Sequence, residues 1–578
     1  MVEESSPLLP HAQESIEAEP DTALEPEPES GKPAPQPRSE TAFVCDCEES
    51  LRSACKGLPS YKNGPHCVLH SSLNDKSADF KVAFDRKLNN RDFDFRGVRF
   101  PDEVNFSRFA FSEGADFSSA TFSADADFRD ATFSAGADFR FATFSTDAYF
   151  LSATFSADAD FISATFRADA GFSSAKFSKV ADFSNAAFSK AADFTKATFS
   201  AGAYFCPARF SADTKFSNAA FNTLADFSQA TFSADADFSS ATFIDDAFFN
   251  HATFSADADF SYVRFSATSD FTHATFALHA TFNSAIFSAA AYFLSAKLSD
   301  VDFSFSVFHA QAMFLGASFI DSVHFRGSLP GRTLGNDPSL YFQHVRIENP
   351  DRIAFHTLVL RPHWFINVDS RRFVFTDVGW GWDRISIKQE IAAFQAAEAW
   401  SSLGYAAMPD EPSARLLAIA CRQLAENAEA NNRYEEASRF RYWAMDLARR
   451  AKWKGWSFWK TDWLHMLYWT VSGYGERILR ALSALAVVWI VFAVLYTQAG
   501  FKQETMNTSA ETAATLADED SLRSFSRALT YSLAVISLQK PEPKPLTGTA
   551  HTLVTLETIL GPVQAALLAL AIRRKFMR

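Results

Sequence analysis

Cysteine, glycine and methionine are scarce in this chain of 578 residues, with 6, 21 and 7 copies. Six cysteines in a chain of this length exclude a fold built on disulfides. No glycine-rich phosphate loop is found, so one common basis for catalysis is missing. Basic residues number 54 against 68 acidic ones, for a formal net charge of −14. Because binding phosphates requires clustered lysine and arginine, nucleic acid is not an expected partner.

A secretory signal is also missing, since the opening MVEESSPLLP has neither a basic n-region nor a sustained apolar run. We therefore expect the bulk of the chain to start in the cytoplasm, where thiols stay reduced. Residues 1–40 are rich in acidic residues and proline and have few large apolar side chains. This composition predicts a disordered acidic tail.

Phenylalanine, in contrast, occurs 62 times. It follows a period of eleven: one series runs from Phe95 to Phe293, and a second, offset by five, runs from Phe100 to Phe287. A helix would scatter such residues around its cylinder, and a flat strand requires even steps. The spacing predicts a coil with four sides of five or six residues, about 22 residues per turn, whose turns stack at roughly 4.8 Å.

Ala-Asp-Phe-Ser-Ser at 115–119 and Ala-Thr-Phe-Ser-Ala at 120–124 resemble the pentapeptide repeat, a unit known from bacterial quadrilateral β-helices. The resemblance implies a mainly β fold, with a right-handed quadrilateral β-helix over 95–325. The alternation of five and six departs from a strict five, so one side in two should carry an extra residue. A slip in the rhythm near Leu298–Phe303 predicts a kink or the end of the coil.

The remaining segments differ in composition from the coil. We predict a cysteine-containing N-terminal cap over 41–94 and a strand-rich cap over 326–384. A helical hairpin is predicted over 385–450, a tryptophan-rich interfacial segment over 451–477 and a two-transmembrane hairpin over 478–578. The two spans cover about 478–499 and 550–572, enough to cross a bilayer. Basic residues at both outer ends of the hairpin predict a multi-pass membrane protein with both termini cytoplasmic. The resemblance to bacterial β-helices implies that the membrane is the bacterial inner (cytoplasmic) membrane.

Between the spans, residues 523–538 have the pattern of a short re-entrant helix. A span, a re-entrant helix and a second span containing Gly561 resemble the pore unit of two-transmembrane potassium channels, which implies an ion pathway. The position of that family's filter holds Leu538-Gln539-Lys540-Pro541-Glu542-Pro543, without the glycines that let carbonyls turn inward. An anchoring hairpin and a degenerate ion channel or sensor gated by the β-helix therefore both stay open.

Two groups of polar residues also leave alternatives open. Four cysteines and two histidines near the start predict either a zinc site or a cap with reduced cysteines: Cys45, Cys47, Cys55, Cys67, His66 and His70. Aspartates form two columns along the coil: Asp116, Asp138, Asp160 and Asp182, which lie one turn apart, and Asp127 with Asp193, Asp237 and Asp259. The columns are interrupted by Tyr204, Phe248, Tyr149 and Lys215. These columns predict a solvated face; the resemblance to pentapeptide-repeat proteins implies a DNA mimic as the alternative.

No residue is assigned as catalytic, cofactor-binding or metal-ligating, and no cofactor is expected. The function that the sequence favours is a non-enzymatic, membrane-anchored scaffold, whose coil presents a surface rich in Ser, Thr and Asp to an unknown protein partner. The lipid bilayer is the other expected partner, and the transmembrane region offers a place for a homo-oligomer to form. Within the coil, Phe194 is expected inside and Asp193 outside.

Overall fold

The structure is a computed structural model. It describes residues 43–55, 57–73, 75–327, 339–380, 386–401, 413–452, 463–474, 477–502, 513–515, 521–541, 544–545 and 547–576. The acidic tail predicted for 1–40 and the tryptophans at 453, 456 and 459 lie outside these ranges. The fold presented below is that of the compact unit Cys45–Arg578.

About half of the chain forms a parallel β-solenoid of about 12 turns, followed by helices. Short strands pair in register with strands 22 positions further on, as Phe100 with Phe122 and Asp116 with Asp138. Each turn has four such strands, which stack into four faces. The fold class predicted from the phenylalanine spacing is therefore confirmed.

The faces are named A to D in the order in which the chain visits them. Face A has strands Arg99–Phe100, Thr121–Phe122, Thr143–Phe144, Thr165–Phe166, Ala187–Phe188, Arg209–Phe210, Thr231–Phe232, Thr253–Phe254 and Arg346–Ile347. Face B has Val104–Asn105, Ala126–Asp127, Ala148–Tyr149, Ala170–Gly171, Ala192–Asp193, Thr214–Lys215, Ala236–Asp237, Ala258–Asp259, Ile353–His356 and Val374–Thr376. Thr275–Thr281, Lys297–Asp302 and Ser318–Arg326 are longer strands that run from face A into face B.

Faces C and D complete each turn. Face C has Ala110–Phe111, Thr132–Phe133, Thr154–Phe155, Lys176–Phe177, Thr198–Phe199, Ala220–Phe221, Thr242–Phe243, Arg264–Phe265, Ile286–Phe287 and Val307–Phe308. Face D has Ala115–Asp116, Ala137–Asp138, Ala159–Asp160, Ala181–Asp182, Ala203–Tyr204, Ala225–Asp226, Ala247–Phe248, Ser269–Asp270, Ala291–Tyr292, Gln311–Met313 and Ser339–Tyr341.

The core is a set of stacked phenylalanine rings. Phe194, for example, is fully buried and lies between Phe172 and Phe216, with ring centroids 4.8 Å from each. The alanine two residues earlier, Ala192, also points inward and is fully buried. Burying each such ring contributes roughly 2 kcal/mol. Phe194 is thus inside the coil, as expected from the sequence.

The five-residue sides close with a tight turn. After Phe117, the N–H of Ala120 donates to the carbonyl of Phe117 at 3.0 Å, and Ser119 has a φ of 58°. A turn with a positive φ at its third position is of type II. The same left-handed position recurs every eleven residues from Arg108 to Ser295, except at Pro207. The extra residue of each six-residue side lies in the intervening open bend.

The slip near residue 300 does not end the coil. Phe276 pairs with Leu298, 22 positions on, whereas Ala280 pairs with Val301, 21 positions on. One residue is therefore missing from the bend, and the register shift absorbs it. Further strands continue the stack, and Phe355 pairs with Phe375 near its end.

Both ends of the stack are covered. At the N-terminal end, a 3₁₀-helix spans Glu49–Cys55, and helix α1 spans Ser77–Asn89. Phe84 of α1 packs on the first turns, with its ring 5.7 Å from those of Phe95, Phe100 and Phe106. This contact shields rings that would otherwise face water at the open end.

The C-terminal end is covered by helices α2 (Ile387–Ser401), α3 (Ser413–Ala430) and α4 (Tyr434–Lys452), after 3₁₀-helices at Pro350–Arg352 and Pro362–Phe365. Asn427 of α3 donates from its Nδ2 to three backbone carbonyls of the last turn, those of Ser370, Arg371 and Phe373, at 3.2, 3.0 and 2.8 Å. One side chain thus satisfies acceptors that no further turn is present to pair.

The C-terminal region contains helices α5 (Trp463–Ser472), α6 (Ile478–Tyr496), α7 (Ser521–Ile536) and α8 (Gly548–Phe576), with an antiparallel pair Gly500–Lys502 and Ala513–Thr515. Two segments, Ile478–Tyr496 and Gly548–Arg573, are long and apolar enough to cross a membrane. Helix α7 contacts both of them.

Candidate functional sites

The aspartates of the coil bind its own backbone. On faces B and D, Oδ1 of each aspartate accepts a hydrogen bond from the N–H two residues on, as Asp193 does from Thr195 at 2.8 Å. In the open bends, aspartates accept from the N–H one turn on, as Asp158 does from Val180 at 3.1 Å. The aspartates of the acidic columns are therefore part of the turn structure, a role that their spacing in the sequence does not reveal.

Face D changes in character along its length. In its N-terminal part, arginines neutralise the aspartates: Arg140 pairs with Asp138 at 2.5 Å and lies 3.4 Å from Asp160. In its C-terminal part, aromatic and acidic residues alternate one turn apart. We call this set the aromatic–acidic column, and it consists of Tyr204, Asp226, Phe248, Asp270 and Tyr292.

All five side chains of the column are half-buried on the outer surface. One oxygen of each carboxylate accepts a hydrogen bond within the backbone turn that follows it. Asp226 Oδ1 accepts from the N–H of Ser228, and Asp270 Oδ1 accepts from the N–H of Thr272, both at 2.8 Å. Within the described residues, neither carboxylate has a cationic partner. Burial and the nearby carboxylates of Asp270 and Asp246 raise the pKa of Tyr292. The column thus combines aromatic surface with unneutralised negative charge.

In the N-terminal cap, the fold brings four of the six predicted Cys/His residues together. One ligand atom from each lies within 4.8 Å of the others, and all four side chains are buried; we call Cys45, Cys55, Cys67 and His70 the cysteine cluster. His70 Nδ1 lies 3.7 Å from Cys45 Sγ and 3.4 Å from Cys67 Sγ. Cys47 and His66 are the two that do not join the cluster.

The thiols of this region differ in pKa. Burial alone would raise the pKa of Cys45, but hydrogen bonds from the N–H of Cys67 and from His66 bring it down to about 6. Burial and the neighbouring Cys45 raise the pKa of Cys47 to about 11. Burial and the surrounding sulfurs also raise the pKa of Cys55. All six cysteines of the chain are free.

Comparison with known families agrees with this geometry. A family model described as pentapeptide repeats (9 copies) matches residues 95–143, 172–220 and 216–264. The chain carries pentapeptide repeats. No curated protein and no solved structure gave a significant match.

The helices that follow the pentapeptide-repeat coil enclose a buried carboxylate. Glu557 of α8 is fully buried and accepts hydrogen bonds from the hydroxyls of Tyr496 on α6 and Ser532 on α7. A Cβ atom on Gly561 would lie 2.8 Å from Ile536, so this glycine permits close approach of α8 to α7. The sequence signal for Glu557 is a single acidic residue within an apolar stretch, and it was not singled out.

Two arginines and a tryptophan connect helices α4, α5 and α6. The guanidinium carbons of Arg449 and Arg480 lie 4.5 and 4.9 Å from the ring centre of Trp469. Cation–π contacts of this kind combine an apolar ring with charge, as residues at a bilayer interface do.

Proposed function

We propose that this protein is a non-enzymatic, membrane-anchored scaffold whose coil binds a protein partner along the aromatic–acidic column. The observation that carries the proposal is the alternation of outward-facing, half-buried aromatic rings and unneutralised carboxylates on face D. Aromatic side chains held on a rigid surface are typical anchors of protein interfaces.

The spacing of the column specifies the partner. Asp226 and Asp270 lie two turns apart, about 10 Å at the usual strand spacing. Three residues of a polyproline II segment, an extended conformation with three residues per turn, span about 9 Å and return the side chain to the same side. We therefore propose that the partner contributes an extended segment with arginine or lysine at every third position. Each cation would lie over a carboxylate and between two rings, where charge pairing and cation–π contact act together.

The proposed location is the cytoplasmic side of a bacterial inner membrane. Helices α6 and α8 meet the length and composition needed to cross a bilayer. The sequence flanking them is basic at both outer ends, with Arg449 and Arg450 before the first span and Arg573-Arg574-Lys575 after the second. Positive charge favours the cytoplasmic side, which would place both termini and the coil there.

The test uses the full-length protein, solubilised in detergent and used to capture proteins from membranes. We expect proteins retained by the wild type to be lost with Tyr204→Ala/Phe248→Ala/Tyr292→Ala. The matched control is Thr231→Ala/Thr253→Ala/Thr275→Ala, whose side chains are equally half-buried on face A. Retention of the same proteins by all three versions would contradict the proposal.

A degenerate channel or sensor is the second candidate function. It is favoured by Glu557, because a carboxylate buried among apolar helices is costly and is usually kept for a functional reason. Tyr496 and Ser532, which bind Glu557, come from the two other helices of the hairpin. A movement of the coil that displaced α6 would therefore break a contact at the centre of the hairpin.

A further inference from the structure

We propose that one Zn²⁺ ion is bound by three thiolates and one imidazole in the N-terminal cap: Cys45, Cys55, Cys67 and His70. Three sulfurs and one ring nitrogen form a closed ligand set of the kind that structural zinc takes, with four-coordinate tetrahedral geometry. The site would hold the metal for stability, because all four ligands are protein side chains and all are buried.

The distances match a tetrahedron of zinc ligands. With Zn–S near 2.3 Å and Zn–N near 2.05 Å, adjacent sulfur and nitrogen ligands lie about 3.6 Å apart and two sulfurs about 3.8 Å apart. His70 Nδ1 is 3.7 Å from Cys45 Sγ and 3.4 Å from Cys67 Sγ. The whole set fits within 4.8 Å. Small movements of side chains are therefore enough to enclose an ion.

The second nitrogen of His70 is fixed by the backbone. Its Nε2 lies 2.9 Å from the carbonyl oxygen of Arg96, which can only accept a hydrogen bond. Nε2 must therefore carry the proton, which leaves the lone pair of Nδ1 directed toward the sulfurs. Such an outer hydrogen bond is the usual partner of a histidine that ligates zinc.

The surroundings also suit thiolates. The N–H of Cys67 donates to Cys45 Sγ at 3.3 Å. Three thiolates and one Zn²⁺ ion have a net charge of −1. The buried ammonium of Lys76 lies nearby and donates to the carbonyls of Val68 and Leu69 at 3.0 and 3.2 Å. These two carbonyls lie in the segment that connects Cys67 to His70. One negative charge in excess is thus balanced within the cap.

The location explains what the ion would stabilise. The segment before α1 has little regular structure apart from Glu49–Cys55. Its contacts with the coil include the hydrogen bond from Arg99 N–H to the carbonyl of Leu69, at 2.9 Å. A zinc ion would cross-link this segment beside the first turn, as structural zinc does where a core is small.

The test is the zinc content of the full-length protein, purified in detergent under reducing conditions and measured by mass spectrometry of the elements. We expect about one zinc per chain in the wild type, and roughly a tenth or less in Cys67→Ser and His70→Ala. Cys206→Ser and Cys47→Ser are the controls and should keep the metal, because Cys206 lies in the coil and Cys47 lies outside the cluster. Wild-type zinc no higher than in Cys67→Ser, or an equal loss in Cys206→Ser, would overturn the proposal.

A second measurement on the wild type does not depend on how the variants fold. After removal of metal, Co²⁺ is added and the absorption spectrum recorded. Intense bands from thiolate-to-cobalt charge transfer and tetrahedral coordination are expected. The weak spectrum of octahedral Co²⁺ would overturn the proposal.

Discussion

Phe194 stacks on Phe172 of the preceding turn, with ring centroids 4.8 Å apart and ring planes 2° from parallel. We expect Phe194→Ala to lower the free energy of unfolding by about 3–5 kcal/mol, because it leaves a cavity within a continuous stack. Asp193→Ala removes one hydrogen bond to a turn and should cost about 1 kcal/mol. Thermal unfolding followed by circular dichroism compares the two variants.

Asp193→Asn is the control for that comparison, because its side-chain oxygen can still accept from the N–H of Thr195. It should melt close to the wild type. Equal melting of Phe194→Ala and Asp193→Ala would mean that the rings do not carry the stability of the coil.

Asn427 provides the second prediction, which concerns the C-terminal end. Asn427→Ala should cost about 1–3 kcal/mol, since the carbonyls of Ser370, Arg371 and Phe373 lose a hydrogen-bond donor. Hydrogen exchange in residues 366–376 should increase. The control is Arg422→Ala, an exposed position on the same helix. Unchanged exchange in Asn427→Ala would show that the last turn does not depend on this contact.

A third prediction follows from Glu390, which is 1% exposed. Burial alone would raise its pKa, but His363 and Arg361 hold the pKa below the ordinary value of 4.5. A carboxyl with a depressed pKa stabilises the fold above its ordinary pKa, and that stability is lost as the pH falls through the folded pKa. From pH 4.5 downward, the wild type should therefore lose melting temperature more steeply than Glu390→Gln. Parallel curves would contradict the assignment.

The fourth prediction concerns the hairpin. If the helices only anchor the coil, the purified protein should give no current in planar bilayers under any ionic condition tested. Neutralising Lys540 and Glu542 should change nothing. Currents that are present in the wild type and altered by those substitutions would favour the channel hypothesis and would contradict a purely anchoring role.

The coil could be predicted from the sequence because Phe95 to Phe293 recur without interruption, and few backbones place every eleventh residue inside. The turns were harder to predict. Ser119 adopts a positive φ without being glycine, and so does Ser152, whose turn has Tyr149 in place of the aspartate. The Asp116 carboxylate adds to the turn of Ser119 by accepting from Ser118 N–H at 3.0 Å. The sequence therefore predicted a solvated surface for the aspartates, although their carboxylates also accept hydrogen bonds from backbone N–H groups of the turns.

The cysteine cluster shows the same limit in another form. Cys45, Cys55 and Cys67 are ten and twelve residues apart, a spacing with no standard metal motif. Cys67 and His70 are spaced as a ligand pair in the sequence, but only the folded cap brings Cys45 and Cys55 to them. The sequence indicated either a zinc site or reduced thiols. Which four of the six residues form the cluster depends on the folded positions of their side chains.

The most direct test of the scaffold proposal is the binding of a synthetic peptide with arginine at every third position to the full-length protein, measured by fluorescence anisotropy. Asp226→Asn/Asp270→Asn should weaken binding roughly tenfold, because it removes two charges while an amide oxygen can still accept from Ser228 and Thr272. The melting temperature should not change. A peptide with the same residues in scrambled order should bind weakly to both. Equal binding of the arginine-spaced peptide by wild type and variant would contradict the proposed role of the column.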